Sequence, residues 1–547
     1  LEIIMRFAIP LLFLIAAPAL ADHKEKMPAR KAVLMEGLGD IHHPVSTKNA
    51  EAQKFFDQGL RLIYAFNHDE AHLSFERAAE LDPKLAMAHW GMALAVGPNY
   101  NLDADAAALK KAYASIQKAV ALSKNAPEEE QTYIKVLSNR YSDDPKAEKN
   151  LLKDRYVQGM KFLHLSYPDD LDAATLYAES LMNMTPWELW DRKGKANSST
   201  PEILRVLEGV LARNPNHTGA NHYYIHAIEA SPFPERGLAA ADRLGKLAPK
   251  AGHLVHMPSH IYSRVGDHAA SARANDEAAK VDREYIQKFK VHGVYPMMYY
   301  NHNLHFLAYS HAMQGRYADA RKAADDLSAH VAPHVKEMPM LEFFLPTAIL
   351  VDVRFQKWNE IMQMPQPDAK LKISQAMYHF ARVTALTSRG DKRGLDTDQR
   401  LFKELVQSIP YQTPFTDRNP SGAVFKVADA MVSARLAMER KDFKNATFWL
   451  EKAIAAEDEL NYMEPPDWPL PCREVLGAVL YQDRKFREAE KVFRADLERN
   501  RRNPRSLYGL MESLKAQKKD FAASMVEQEF RAAWQNADVK SLSLHQY

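Results

Sequence analysis

The chain is 547 residues long, carries 72 basic and 70 acidic side chains for a net charge of +2, and is 46% hydrophobic and 26% charged. So balanced a charge leaves no basic field to grip nucleic acid or an anionic membrane surface. With 20 glycines and a single cysteine, Cys472, it suits an all-helical chain better than an all-β one and forbids an intrachain disulfide. The same count excludes iron–sulfur clusters, thiolate-rich zinc sites and c-type haem attachment, each of which needs more than one Cys. Any bound metal must therefore use His, Asp, Glu, Met or backbone ligands.

In chain order, the first feature is a targeting segment. Met5-Arg6 gives a basic start, 7–17 is an apolar run, and Ala19-Leu20-Ala21 is a small-x-small site before Asp22. These predict a signal peptide over 1–21 and a mature chain starting near Asp22, periplasmic or secreted, with no transmembrane segment in it. Residues 22–48 form an N-terminal extension, in which His42-His43 reads as a solvated pair or a loose metal contact. Helix pairs then follow one another. Gly59 falls where the first helix of a pair needs a small residue for close approach, Phe75 and Ala78 fall on the second, and Pro83 ends it. The pattern returns from Ala86, over 219–249, 252–278 and 302–327, and again around Phe443, Phe486 and Tyr508.

Several stretches break the pattern. Loops are predicted at 98–105 and 363–367. An insertion over 185–200 carries Trp187 and Trp190, either as a lid over a groove or as caps on helix ends. Pro414, Pro420 and Gly422 mark 411–424 as a linker between a block over 49–410 and a second block over 425–547. Glu464-Pro-Pro-Asp-Trp468 reads as a stiff turn that sets repeat stacking, with groove contact as the second reading. Cys472 reads as a packed thiol.

The recurring small residue with its Tyr/Phe–Ala–Phe–Ala ladder resembles the tetratricopeptide repeat family across most of 50–535. That resemblance implies an all-α, right-handed α-solenoid of stacked helix–turn–helix repeats, whose concave face holds partners. The blocks Trp90-Gly-Met-Ala, Asn221-His-Tyr-Tyr-Ile-His226, His256-Met-Pro-Ser-His260 and Glu464-Pro-Pro-Asp-Trp468 look like a group of exported bacterial proteins with these repeats. That likeness implies architecture and no activity.

The histidines point to chemistry. Eleven of the 22 lie between His217 and His311. His222 and His226 recur as His256 and His260, each 34 residues later, which is the period of that repeat. His253, His302 and His305 fall at equivalent places, and Glu229 and Tyr309 complete the set. Steps of three and four residues keep all of them on one helical face, the face that lines the concave groove in the family the chain resembles. Imidazoles on helices about 8–10 Å apart can meet on one ion, and an i, i+4 His pair is a metal-binding spacing. The predicted metal ligands are His222, His226, His256, His260, His302 and His305. The predicted groove residues are Asn221, Glu229, His253 and Tyr309, with Asn221, Asn301 and Asn303 as ring-orienting partners.

Neutral imidazole suits zinc or copper among the metals met outside the cytoplasm. Two other uses of the same face stay open: recognition of a polar ligand without metal, and purely structural hydrogen bonding. Pro258 removes a backbone donor between His256 and His260, so the helix is expected to start late or kink there. His68 and His72 have Glu70 misplaced for the metalloprotease His-Glu-x-x-His pattern, and His68 falls at an aromatic packing position. No nucleophile elbow, phosphate loop or dinucleotide fingerprint is present. The expectation is an exported scaffold that binds a protein, peptide or small ligand in its groove, with a His-rich transition-metal site. The alternative is a metal-dependent hydrolase or oxidoreductase built on the same cluster, with Glu229 or Tyr309 as acid or base.

Overall fold

The structure, a computed structural model, describes residues 30–539 and 541–544; the signal-like segment 1–21 lies outside them. Among the described residues the regular elements are helices, with two isolated β-bridges. No described helix is long and apolar enough to cross a membrane.

The first pair shows how the repeat is held. Asn49 caps the helix Ala50–Tyr64, its side chain accepting from the backbone N–H groups of Glu51 and Ala52. The helix His68–Leu81 folds back on it, and Ala86–Val96 opens the next unit. Phe75 is fully buried between the two first helices. A Cβ on Gly59 would stand 2.6 Å from its ring, and one on Gly91 closer still. Phe493 repeats the arrangement between Gly477 and Gly509, on helices Cys472–Gln482 and Pro504–Ala516. An aromatic wedge between two glycines on successive first helices is therefore the packing rule of the stack. The chain is a tetratricopeptide-like helical-repeat protein, an α-solenoid of helix pairs.

The middle of the stack runs through Thr218–Ile228, Leu238–Leu247, Gly252–His256, Pro258–Arg264, His268–Phe289, Asn301–Met313 and Tyr317–Val331. Pro258 does interrupt the helix, but Met257 keeps helical dihedrals (φ −51°, ψ −37°). The register survives, so His256 and His260 stay on one face.

Later repeats fold back against these. Arg501 Nη1 donates to Glu235 Oε2 at 2.9 Å, and Arg264 lies over the Tyr462 ring. Trp534 packs on Gly315. Asp538 accepts from the backbone N–H groups of Tyr317 and Ala318, both at 2.8 Å, capping the helix Tyr317–Val331 from far along the chain. The predicted open groove is thus covered over its histidine stretch, by the loops around Tyr100, Trp187 and Glu464.

The N-terminal extension is also fixed. His43 Nδ1 meets Asp172 Oδ2 at 3.0 Å, and Ser46 Oγ donates to Glu130 Oε2 at 2.7 Å. A solvated reading of His43 fails: its side chain is 12% exposed, against 57% for His42. The loop before the helix Ser421–Glu439 holds Phe415 buried in one core with Ile373 and Phe425. Cys472 is buried at the start of its helix.

Candidate metal centre

Tautomers decide what the histidines can do, and their Nδ1 partners set the tautomers. His222 Nδ1 lies 2.6 Å from the carbonyl oxygen of Tyr64. That carbonyl ends the helix Ala50–Tyr64, where the last turn has no helical donors left. A carbonyl only accepts, so Nδ1 carries the proton and Nε2 the lone pair. His226 Nδ1 lies 3.1 Å from Glu229 Oε1, and His260 Nδ1 2.5 Å from Glu229 Oε2. His256 Nδ1 lies 2.6 Å from Asn275 Oδ1. The Asn275 amide donates to the Ser271 carbonyl, which orients its oxygen toward the ring. Four rings thus have Nδ1–H committed to an oxygen and keep Nε2 for something else.

The Nε2 atoms converge. His256 and His260 bring theirs to 2.7 Å, and His222 and His253 bring theirs to 3.1 Å. Two nitrogens on one tetrahedral zinc ion stand about 3.3 Å apart, given bonds of about 2.0–2.1 Å. Potential ligand atoms of His222, His226 and His253 lie within 4.8 Å of one another, and so do those of His256, His260 and His302. The two triads share no residue. His253 and His256 join them, with ring centroids 5.8 Å apart.

Electrostatics fit neutral donors. Burial holds His222, His226, His253, His256 and His302 well below the ordinary histidine range, and neighbouring imidazoles add to the effect. His260 goes the other way. Burial opposes its charge, but Glu464 and Glu229 outweigh it and raise it to about 10. Burial lifts Glu464 itself to about 7. The Glu464 carboxylate lies against His260 Nδ1, yet neither of its oxygens makes an aligned hydrogen bond. Two carboxylates beside one imidazole supply negative charge where a divalent ion would need it.

An aromatic shell closes the cluster. Phe66 packs on His222 with centroids 4.5 Å apart, Tyr100 on His226 at 5.1 Å, and Tyr299 on His253 at 4.9 Å. Trp187 stands edge-on to His226, which is the lid position; Trp190 instead donates its indole N–H to the Ala227 carbonyl. His302, His305 and Tyr309 are only partly buried. On that side a small open pocket is lined by His305, Tyr309, Arg354, Pro465, Pro466 and Asp467.

The structure thus gathers His222, His226, His253, His256, His260, His302 and Glu229 at one place. His305 lies apart, edge-on to Phe344, and Tyr309 lines the pocket. Asn221 turns away, donating to the carbonyls of Pro215 and His217. Asn301 pairs with His330 and Asn303 with Asp282. The orienting groups that sequence reasoning missed are Tyr64, Asn275 and Glu464. Only Glu464 carries a signal, as an acidic residue in a Pro-rich turn open to groove contact; it is buried against His260.

No protein-family model matches the chain, and no curated protein matches it. Solved structures overlay it loosely. The human IFIT1 dimer with m7Gppp-AAAA is 13% identical, over 89% of this chain and 91% of that one, at a TM-score of 0.34. Yeast Tom70 is 14% identical, over 89% and 98%, at 0.32. The P58(IPK) TPR domain is 12% identical, over 86% and 99%, at 0.21. Likeness this loose carries nothing about function.

Proposed function

We propose that the protein is an exported helical-repeat scaffold whose interior holds a transition-metal ion, zinc or copper, on His256, His260 and His302. One observation carries the reading. His256 and His260 each commit Nδ1–H to a side-chain oxygen and face each other through Nε2 at 2.7 Å. With His260 protonated that contact is an N–H···N bond, and a divalent ion entering there displaces the proton and spreads the two nitrogens to about 3.3 Å. Glu229 and Glu464 then orient the rings and balance the ion's charge, as carboxylates do behind metal-bound imidazoles. The pocket at His305 and Tyr309 is where a peptide, a protein segment or a small ligand would approach. Export follows from the signal-like start of the chain.

A metal-dependent hydrolase or oxidoreductase is the second reading, favoured by Glu464. Its carboxyl lies buried against His260 with neither oxygen in an aligned hydrogen bond, placed to take or give a proton at the site. An enzyme keeps an open coordination position, so azide or cyanide binding to the cobalt-substituted protein separates the two readings.

The direct test is elemental analysis of the full chain, purified without a His tag or chelator. Near-stoichiometric zinc or copper is expected, lost in His256→Gln/His260→Gln with helicity unchanged. A chain that is metal-free as purified and takes up neither ion at micromolar concentration would end the proposal.

A further inference from the structure

Building on that reading, we infer that the other triad, His222, His226 and His253, holds a second transition-metal ion, which makes the interior a two-metal centre joined through Glu229.

Three observations point this way. First, the triad brings three imidazoles together: its potential ligand atoms lie within 4.8 Å of one another, and His226 also comes that close to Glu229 and His260 of the neighbouring site. Second, its hydrogen bonding does not close. His226 commits Nδ1–H to Glu229, and its Nε2 is then a buried lone pair without a partner. His253 likewise has a buried Nδ1 with no partner, while its Nε2 faces His222 Nε2 at 3.1 Å. Buried polar atoms are nearly always satisfied, and the His226 Nε2 lone pair, beside the facing Nε2 atoms of His222 and His253, is the one an ion on this triad would satisfy. Third, Phe66, Tyr100, Trp187 and Tyr299 wall the cage with rings.

The chemistry differs from that of the neighbouring triad. Three uncharged imidazoles in an apolar cage, with Glu229 engaged through His226, suit Zn(II) or Cu(I) over Mg(II), Ca(II) or Mn(II), which prefer oxygen. Glu229 couples the two places. One oxygen holds His226 of this triad and the other holds His260 of the next. Whatever fixes one ring through that carboxylate acts on both.

Metal counting tests this. The tag-free full chain is stripped, reloaded separately with Zn(II) and Cu(I), desalted, and read by elemental analysis and native mass spectrometry. Two ions per chain with at least one metal are expected. One should be lost in His226→Gln and one in His302→Gln, with helical circular dichroism unchanged. His253→Asn serves as the second probe of the triad if His226→Gln does not fold, and the wild-type count stands without either. One ion per chain, lost in His302→Gln and kept in His226→Gln, would overturn the second ion and leave the first. Two ions, both kept in His226→Gln and His253→Asn, would place the second elsewhere and overturn the inference too. No ion with either metal would overturn both this inference and the reading it rests on.

Discussion

Glu229 is the side chain on which both triads lean, because a single carboxylate accepts from His226 through one oxygen and from His260 through the other. A carboxamide accepts through only one of its two ends. Glu229→Gln therefore releases one ring, or forces it to turn its lone pair away from the cluster. Loss of a partner behind a metal-bound imidazole costs roughly 10–100-fold in affinity. That loss is expected in a chelator competition titration, at unchanged helical content; unchanged affinity would remove Glu229 from the centre. His43 makes a separate prediction. Burial works against its charge, but the Asp172 hydrogen bond wins and raises it from an ordinary 6.5 to about 9. The stabilisation is then fully present below pH 6.5 and fades as pH rises through 9. Asp172 is held far below the usual carboxylate range: burial opposes this, but His217 and His43 outweigh it. Its contribution is lost only in acid. The buried neutral imidazoles pull the other way, so the test compares proteins: His43→Gln should lose more melting temperature at pH 6 than at pH 9, which changes the gap between the two pH values. A gap of the same size in the variant would remove this ion pair as a contributor to it.

Elements were legible where a repeat writes the same packing twice. Gly59 with Phe75 and Gly477 with Phe493 are legible, because a small residue and a ring must meet at fixed spacing, while the second glycine of each wedge, Gly91 and Gly509, comes from the structure. Phe75→Ala leaves a cavity between three helices and should cost about 3–5 kcal/mol in denaturant unfolding. A change below about 1 kcal/mol would mean the wedge does not hold the stack. The helix faces carrying the two His pairs were legible for the same reason, since steps of three, four and 34 residues survive folding. Even Pro258 left the register intact, because Met257 keeps helical dihedrals. The partners of those faces were not legible. Tyr64 offers a backbone carbonyl, Asn275 sits on a second helix, and Glu464 arrives from some 200 residues downstream. None of them shares a period with the rings it serves.

At the scale of the whole molecule, closure matters most. A concave face was expected from the repeats, but nothing in a local period says that the stack returns on itself. That return is made by scattered single contacts: Arg501 with Glu235, Asp538 at the start of the helix Tyr317–Val331, and Glu464 against His260. Each is unremarkable in sequence, and together they turn a groove into an enclosed interior. Enclosure is what makes the histidines chemically unusual, since burial keeps five of the six imidazoles of the two triads neutral and ready to donate lone pairs. The measurement that tests this account most directly is anomalous diffraction from crystals of the zinc-loaded full chain, recorded on both sides of the zinc edge. A strong peak is expected among the ring nitrogens of His256, His260 and His302. An interior without a peak, with zinc found only at surface side chains, would contradict the account.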